Sequence, residues 1–181
     1  GHSLGLQQQD IVLQGHAIEA RLYTEDTTQG FLPTAGPVDL WSPAAGPGIR
    51  VDAGIGTGQA VSPYYDPMVA KIIASGPTRE VARARRVEAL KNTVLFGPAH
   101  NRDFLIACLQ QKTFAAGEAT TAFIAEEFGN EGFSANLPAF TDNAIAKIEE
   151  LQTLEEEQEI ALRVAVQGKS KNGLGRGAYS K

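Results

Sequence analysis

Two charged side chains at alternate positions of one predicted strand are the first candidates for chemistry in this sequence. Residues 15–26 read GHAIEARLYTED, with apolar and polar types alternating. Side chains of a β-strand point alternately to two faces, so Glu19 and Arg21 share one face while Ile18 and Leu22 face a core. A held guanidinium can bind an anion or an electron-rich carbonyl oxygen, but its pKa, above about 12, excludes proton transfer. The alternative interpretation is a surface ion pair worth ~0.2–1 kcal/mol.

Two further charged residues lie among the predicted strands. Arg50 follows the Pro- and Gly-rich turn of residues 43–48, and Asp66 lies in the loop before a later strand. If the strands near Arg21 and Asp66 are neighbours, the guanidinium can face the carboxylate in a bidentate pair. The position of Asp66 relative to Arg21 is therefore the first question for the structure.

The remaining reactive side chains do not form a recognisable centre. His2, His16 and His100 are scattered and Cys108 is the single cysteine, so the sequence predicts no metal site. Cys108 lies on the apolar face of a predicted helix, which favours a small core residue over a nucleophile. A Ser–His–Asp triad stays open, although no G-x-S-x-G motif is present.

A glycine-rich segment at residues 54–58, GIGTG, has neither of the spacings of a phosphate-binding loop. We interpret it as a hairpin connection in which glycine supplies positive φ. This hairpin would join a strand at Ile49–Val51 to a return strand at Gln59–Val61.

The pattern along the chain predicts an α+β fold, in which an antiparallel sheet is flanked by about three helices and followed by a helical extension. Further strands are predicted at Val38–Trp41, Val69–Ala74 and Thr93–Phe96. Helices are predicted after the N-caps Thr78 and Asn101 and near Thr121–Phe128. Residues 1–128 would form one domain, and residues 129–181 a linker with a Glu-rich helix at Asn143–Val166 and a Gly-rich tail toward a following domain.

Composition limits the class of protein. The 181 residues carry a net charge of −5 and 43% are hydrophobic, which suits a packed core and no nucleic-acid partner. No run approaches eighteen apolar residues, so no membrane-spanning helix is predicted. One cysteine and no secretory signal fit a cytoplasmic protein, and the lack of an initiator Met indicates a processed product or a fragment. A solvated helix face is expected from the basic residues Arg79, Arg83, Arg85, Arg86 and Lys91.

Five stretches together resemble the C-terminal lobe of biotin carboxylase, a component of biotin-dependent carboxylases. They are GHAIEARLYTED at 15–26, GFLPTAGPV at 30–38, GPGIRVD at 46–52, YYDPMVAK at 64–71 and NTVLFGPAHNRDFL at 92–105. Their order and spacing also fit, and the resemblance covers residues 10–128. Residues 58–76 are most similar to α subunits of acyl-CoA carboxylases that act on branched substrates, such as methylcrotonyl-CoA or geranyl-CoA.

The resemblance implies roles for five residues. The family uses ATP and bicarbonate to carboxylate biotin at its ureido nitrogen. Arg21 is implied to be the catalytic residue, which stabilises negative charge on the ureido oxygen. Asp66 and Glu19 are implied to belong to the biotin site and to orient Arg21. Arg50 and Pro47 are implied to lie at a dimer interface.

The resemblance also implies parts outside this sequence. The motifs that hold ATP and Mg²⁺ precede this lobe in the family, and neither they nor the biotin-attachment motif occurs here. The implied partners are the rest of the biotin carboxylase domain, a biotin carrier domain, a carboxyltransferase subunit and a second copy in a homodimer. The isolated chain is therefore expected to be inactive, in the cytoplasm or, in a eukaryote, the mitochondrial matrix. The alternative is a non-catalytic module that dimerises or docks on a carboxylase.

Overall fold

The computed structural model describes residues 1–129, 132–134 and 146. The strands in this part of the chain are β1 (His16–Tyr23), β2 (Glu25–Asp26), β3 (Leu32–Pro33), β4 (Gly36–Pro37), β5 (Leu40–Ser42), β6 (Ile49–Ala53), β7 (Ala60–Val61), β8 (Met68–Gly76) and β9 (Val94–Phe96). The helices are α1 (Arg79–Asn92), α2 (Arg102–Gln110), α3 (Lys112–Ala116) and α4 (Phe123–Phe128). The predicted α+β class is confirmed, with α3 as an additional short helix.

The centre of the fold is an antiparallel sheet in the order β1-β8-β6. Its inner face is apolar because every second residue of each strand is small or aliphatic, and Ile18, Leu22 and Ile72 are buried there. Helix α1 packs on this face and contributes Ala82 and Leu90 to the same core. The alternation predicted for β1 is confirmed.

The outer face of the same sheet is charged. Arg21 of β1 lies directly opposite Lys71 of β8, and Lys71 lies opposite Asp52 of β6. Directly opposite residues of antiparallel strands point to the same face. Arg50, two residues before Asp52, therefore shares this face with Arg21.

Helix α1 begins as predicted, because the Thr78 side chain accepts a hydrogen bond from the Val81 N–H at 3.3 Å. The predicted solvated basic face is wrong for Arg86, which is 0% exposed. Arg79 and Arg83 are also partly covered, because they donate to the carbonyl oxygens of Phe114 and Leu109. The helix lies between the sheet and α2, so two of its sides are buried rather than one.

The predicted hairpin between β6 and β7 is wrong. Strand β6 pairs with β8, and β7 pairs with β4 through Gly36–Val61 and Pro37–Ala60. The nine-residue β8 offers β6 a ladder of five residue pairs, which a two-residue return strand cannot match. Strands β3 and β4 also begin before Val38, since a proline is tolerated in a short edge strand.

The predicted second segment, residues 129–181, lies almost entirely outside the described residues. Ala146, within the predicted helix Asn143–Val166, is helical and exposed. In the described part of the chain, no helix has the length and apolar character needed to cross a membrane.

Candidate functional site

Arg21 is an accessible cation on the outer face of β1. Its side chain is 59% exposed, and its Nε lies 3.6 Å from Oε1 of Glu19, whose side chain is 40% exposed. This distance is too long for a hydrogen bond, so the ion pair is loose. Contact with Tyr23 and, next, the Glu19 carboxylate raise the pKa of Arg21. The side chain is therefore a permanent positive charge that a ligand can reach.

A cavity of about 580 Å³ opens beside this arginine, between β1 and the helices α2–α4. Polar side chains form one end, and aromatic and aliphatic side chains form the rest of the wall. The lining residues are Glu19, Ala20, Arg21, Tyr23, Glu25, Phe31, Asn101, Phe104, Leu105, Cys108, Leu109, Phe114 and Ile124. Such a mixed wall suits a small organic group that has one polar end.

Asn101 fastens β1 to the start of α2. The side-chain Oδ1 of Asn101 accepts from the Tyr23 N–H at 3.0 Å, and the backbone N–H of Asn101 donates to the Tyr23 carbonyl oxygen at 3.1 Å. Its Nδ2 donates to Oε1 of Glu25 at 3.0 Å. Asn101 was predicted as the N-cap of this helix, and it does precede α2, but its side chain makes no capping hydrogen bond. Asn101 instead hydrogen-bonds to the N–H and the carbonyl oxygen of Tyr23, as a neighbouring strand would, and so holds the strand of Arg21 in place.

Glu25 is a carboxylate at the polar end of the cavity whose pKa is shifted. Burial raises its pKa, the hydrogen bond from Asn101 opposes that shift, and the negative charge of Asp66 raises the pKa further. Sequence analysis missed Glu25, although it lies only four residues beyond Arg21 in the same motif. The signal in the sequence was its position two residues after Tyr23, which continues the alternate positions of Glu19, Arg21 and Tyr23.

Asp66 lies close to this site without pairing with Arg21. The two strands are neighbours, because Tyr23 lies opposite Met68 and the Thr24 N–H donates to the Pro67 carbonyl oxygen. Oδ1 of Asp66 accepts from the Met68 N–H at 2.8 Å, which closes the turn before β8. Among the described residues no ion pair joins Asp66 to Arg21, whose carboxylate neighbour is Glu19.

Arg50 lies on β6, the opposite edge of the sheet. Its Nε and Nη2 donate to the two carboxylate oxygens of Asp52, each at 2.9 Å. The Arg50 side chain is 73% exposed, and Pro47 in the preceding turn is also exposed. Their predicted place in a dimer interface stays a prediction.

The described residues contain no group of three His, Cys, Asp or Glu side chains that could hold a metal ion. Cys108 lines the cavity, and burial raises the pKa of its thiol to about 12. A thiol with this pKa is a poor nucleophile at neutral pH, which agrees with the prediction of a core residue.

Fold and site together define a domain with an accessible cation beside a cavity at the edge of a sheet. The family model described as "Biotin carboxylase C-terminal domain" matches residues 19–126, and the chain belongs to this family. The resemblance noted in the sequence is thereby confirmed.

Two curated relatives illustrate the range of the family. The chain is 41% identical over 135 residues to the mitochondrial propionyl-CoA carboxylase alpha chain of Caenorhabditis briggsae, covering 74% of this chain and 18% of that relative. It is 44% identical over 124 residues to the biotin carboxylase of Halalkalibacterium halodurans, covering 68% and 27%. The chain thus spans less than a third of the length of these relatives.

Solved structures agree with this assignment. The biotin carboxylase domain of a thermophilic 2-oxoglutarate carboxylase bound to bicarbonate matches with a TM-score of 0.70 and 33% identity, over 74% of this chain and 30% of that one. A complete multifunctional pyruvate carboxylase from Rhizobium etli matches with a TM-score of 0.71 and 32% identity, over 77% and 14%. The names of these relatives specify different substrates. The matches therefore assign the chain to the family but not to a particular substrate.

Proposed function

We propose that this chain supplies the biotin-side wall of a biotin carboxylase site, in which Arg21 is the catalytic residue. The observation that carries the proposal is the accessible guanidinium of Arg21, held on a pinned strand at the mouth of the cavity. The family match over residues 19–126 supports the reaction class, which is the carboxylation of biotin with ATP and bicarbonate.

The chemistry follows from the charge of Arg21. When the ureido nitrogen of biotin is carboxylated, negative charge develops on the ureido oxygen. A fixed guanidinium that faces this oxygen stabilises the charge without having to reorganise, and it cannot take up the proton itself. Glu19 orients the guanidinium from the same strand, and Asp66, in the neighbouring turn, is a further carboxylate of the biotin site.

The rest of the site belongs to other parts of the enzyme. ATP and Mg²⁺ are held by the preceding part of the biotin carboxylase domain, and biotin arrives on a carrier domain. The carboxyl group then passes to an acyl-CoA on a carboxyltransferase subunit, of the methylcrotonyl-, geranyl-, propionyl- or acetyl-CoA type. Relatives named propionyl-CoA and methylcrotonoyl-CoA carboxylase support this substrate class. Arg50 and Pro47 lie where a second copy docks, and the enzyme works in the cytoplasm or the mitochondrial matrix.

The test uses a carboxylase that contains this chain joined to its ATP-binding part. Arg21→Ala should slow biotin carboxylation roughly 100- to 1000-fold, as expected for the loss of one preorganised donor. Bicarbonate-dependent ATP cleavage should change far less, because that step does not use the ureido oxygen. Arg85→Ala is the matched control, since Arg85 donates to the Ser75 carbonyl oxygen and does not line the cavity.

Three outcomes contradict the proposal. Equal loss of carboxylation and ATP cleavage would show that Arg21 acts before biotin reacts, and no loss of either would show that Arg21 is not catalytic. The second outcome, together with retained binding to a carboxylase, favours the non-catalytic docking module. ATP-dependent carboxylation of free biotin by the 181-residue chain alone would also contradict the proposed division of the site.

A further inference from the structure

Lys71 lies at the centre of a row of three charged residues that crosses the outer face of the sheet. It is directly opposite Arg21 of β1 on one side and Asp52 of β6 on the other. Directly opposite residues of antiparallel strands have Cβ atoms about 4.5–5.5 Å apart, and two like charges in such positions destabilise a sheet. The neighbouring positive charges of Arg21 and Lys71 are therefore unfavourable for the fold.

The next row of the same face shows that the fold does not require a charge on the central strand. There β8 places Ile73 between Glu19 of β1 and Arg50 of β6. An aliphatic side chain is therefore compatible with a central position on this face. A local arrangement that costs stability without an evident structural gain is expected at functional sites.

An ion pair with Asp52 does not explain Lys71. Both carboxylate oxygens of Asp52 accept hydrogen bonds from Arg50 at 2.9 Å. None of the ion pairs in the described part of the chain includes Lys71, although this residue is half-buried. The charge of Lys71 therefore acts on Arg21 without being neutralised by a bound carboxylate.

The contacts of Arg21 lie along its own strand and toward the cavity, and not toward Lys71. Its charged and polar neighbours, Glu19 and Tyr23, both belong to β1. Arg21 also lines the cavity beside β1, whereas Lys71 does not. This is the direction expected when two cations whose Cβ atoms are about 5 Å apart repel each other.

We propose that Lys71 is a positioning residue for Arg21. Its ammonium group repels the guanidinium from the middle of the sheet, so Arg21 extends along β1 to the mouth of the cavity. The same charge separates Arg21 from Asp52, the carboxylate at the far end of the row, and leaves Arg21 available to an anionic oxygen of the ligand. The proposal deepens the proposed function of Arg21 and rests on it, but the effect of Lys71 on Arg21 can be measured without catalysis.

The first test is a spectroscopic one on the full chain. In ¹H–¹⁵N spectra of the arginine side chains, the Nε–H signal of Arg21 should move little in Lys71→Arg, more in Lys71→Met and most in Lys71→Glu, which places a carboxylate directly opposite. Lys91→Glu is the matched control, because it makes the same change in net charge at an exposed position in the last turn of α1. It should leave the Arg21 signal in place. An unchanged Arg21 signal in Lys71→Met and Lys71→Glu would overturn the proposal.

The second test measures kinetics in a carboxylase that contains this chain joined to its ATP-binding part. Lys71→Glu should raise the KM for biotin roughly 10-fold, because the ligand must then displace a carboxylate that pairs with Arg21. The kcat and the bicarbonate-dependent ATP cleavage should change far less, since the competing pair is lost before the chemical step. Lys71→Arg should keep the wild-type KM, because it retains the positive charge. An unchanged KM in Lys71→Glu, or an equal rise in Lys71→Arg, would overturn the proposal.

Urea unfolding shows whether the variants are folded. Opposite charges at directly opposite positions stabilise a sheet, so Lys71→Glu should not lower the urea midpoint. If it does, Lys71→Met takes its place in both tests. The expected rise in KM is then roughly 4-fold, for the loss of one unit charge about 5 Å away in water-like surroundings.

The failure of this inference can be told apart from the failure of the proposed function. A moved Arg21 signal in Lys71→Glu, with unchanged carboxylation in Arg21→Ala, would leave the positioning by Lys71 standing and remove the catalytic role of Arg21. Loss of carboxylation in Arg21→Ala, with the same Arg21 signal in every Lys71 variant, would do the opposite.

Discussion

Arg21 and Arg50 lie on the same face of one sheet, on opposite edge strands, and both are largely exposed. Their contacts differ. Arg50 donates two 2.9 Å hydrogen bonds to Asp52, whereas the ion pair between Arg21 and Glu19 is 3.6 Å long. Arg21 also borders a cavity of about 580 Å³.

This difference shows that exposure alone does not make an arginine available to a ligand. The guanidinium of Arg50 already donates to both carboxylate oxygens of Asp52, so a ligand would first have to displace Asp52. Among the described residues, the carboxylate contact of Arg21 is the 3.6 Å ion pair with Glu19, which is too long to hold the guanidinium in the same way. The support beneath the two residues also differs, because β1 is pinned by the buried Asn101 and β6 enters the sheet from a glycine turn.

The largest expected effect comes from removing the Asn101 side chain, which holds β1. Asn101→Ala leaves the Tyr23 N–H and the Glu25 carboxylate without their partner in a partly buried site, and should lower the free energy of unfolding by about 3 kcal/mol. Urea unfolding measures this loss. Gln110→Ala, at the exposed end of α2, is the control and should leave the midpoint unchanged. A loss under 1 kcal/mol for Asn101→Ala would mean that β1 is held by other contacts.

The next effect is a pH dependence on the Arg21 side of the molecule. Burial and, next, the charge of Arg102 lower the pKa of His100 to about 4. The folded state therefore favours the neutral ring. The contribution of His100 to the free energy of unfolding is fully present above pH 6.5. It is lost as the pH falls from 6.5 toward 4, because the unfolded chain binds a proton that the folded chain excludes.

Between pH 7 and pH 4.5 this protonation should cost roughly 2 kcal/mol of stability. Urea midpoints at the two pH values measure it, and His100→Gln should remove most of the difference. Hydrogen exchange should accelerate first at β9 and the start of α2, since His100 lies 3.0 Å from the Leu95 carbonyl oxygen. The same pH dependence in His100→Gln would assign the effect to carboxylates instead.

A smaller effect is expected on the Arg50 side, at the turn before β6. Gly48 has φ +76°, and a Cβ built there would lie 2.7 Å from the Ser75 carbonyl oxygen. Gly48→Ala should therefore destabilise the protein by about 1–2 kcal/mol through backbone strain and this clash. Gly54→Ala is the control, because a Cβ at Gly54 meets no atom within 4 Å and its φ is not positive. Equal urea midpoints for the two variants would contradict this account.

The smallest effect concerns the two arginines themselves. Arg50→Ala and Arg21→Ala should both leave the urea midpoint within experimental error, since exposed ion pairs contribute little to stability. Any functional difference between Arg21 and Arg50 would then come from how each side chain binds a ligand, and not from stability. A measurable loss of stability in Arg21→Ala but not in Arg50→Ala would indicate a structural role for Arg21 and weaken its assignment as an available cation.

Local patterns were sufficient for the parts of the fold in which neighbours along the chain decide the structure. The alternation of residues 15–26 predicted β1 and its two faces, and Thr78 predicted the start of α1. The family resemblance required five motifs together, because a Glu and an Arg on one strand are common on protein surfaces. The placement of Arg21 was therefore predictable, although its loose pairing was not.

The failures have a common physical cause, which is competition from distant partners. Asn101 fits the rule for a helix cap, but strand β1, about 80 residues away in sequence, takes its amide group. Arg86 belongs to a basic helix, but α2 covers the side of α1 that the charge pattern suggests is solvated. The β6–β7 hairpin lost to the longer β8 for the same reason.

The attachment of Asn101 to β1 makes α2 a brace between the strand of Arg21 and helix α1. The Asn101 end is tied to Tyr23, and the nine residues of α2 place the other end about 13 Å away. That end is tied as well, because Arg83 of α1 donates to the Leu109 carbonyl oxygen at 2.9 Å. Leu105 and Leu109 form part of the cavity wall. A change that loosens either end of α2 should therefore alter the cavity wall and the support of Arg21 together.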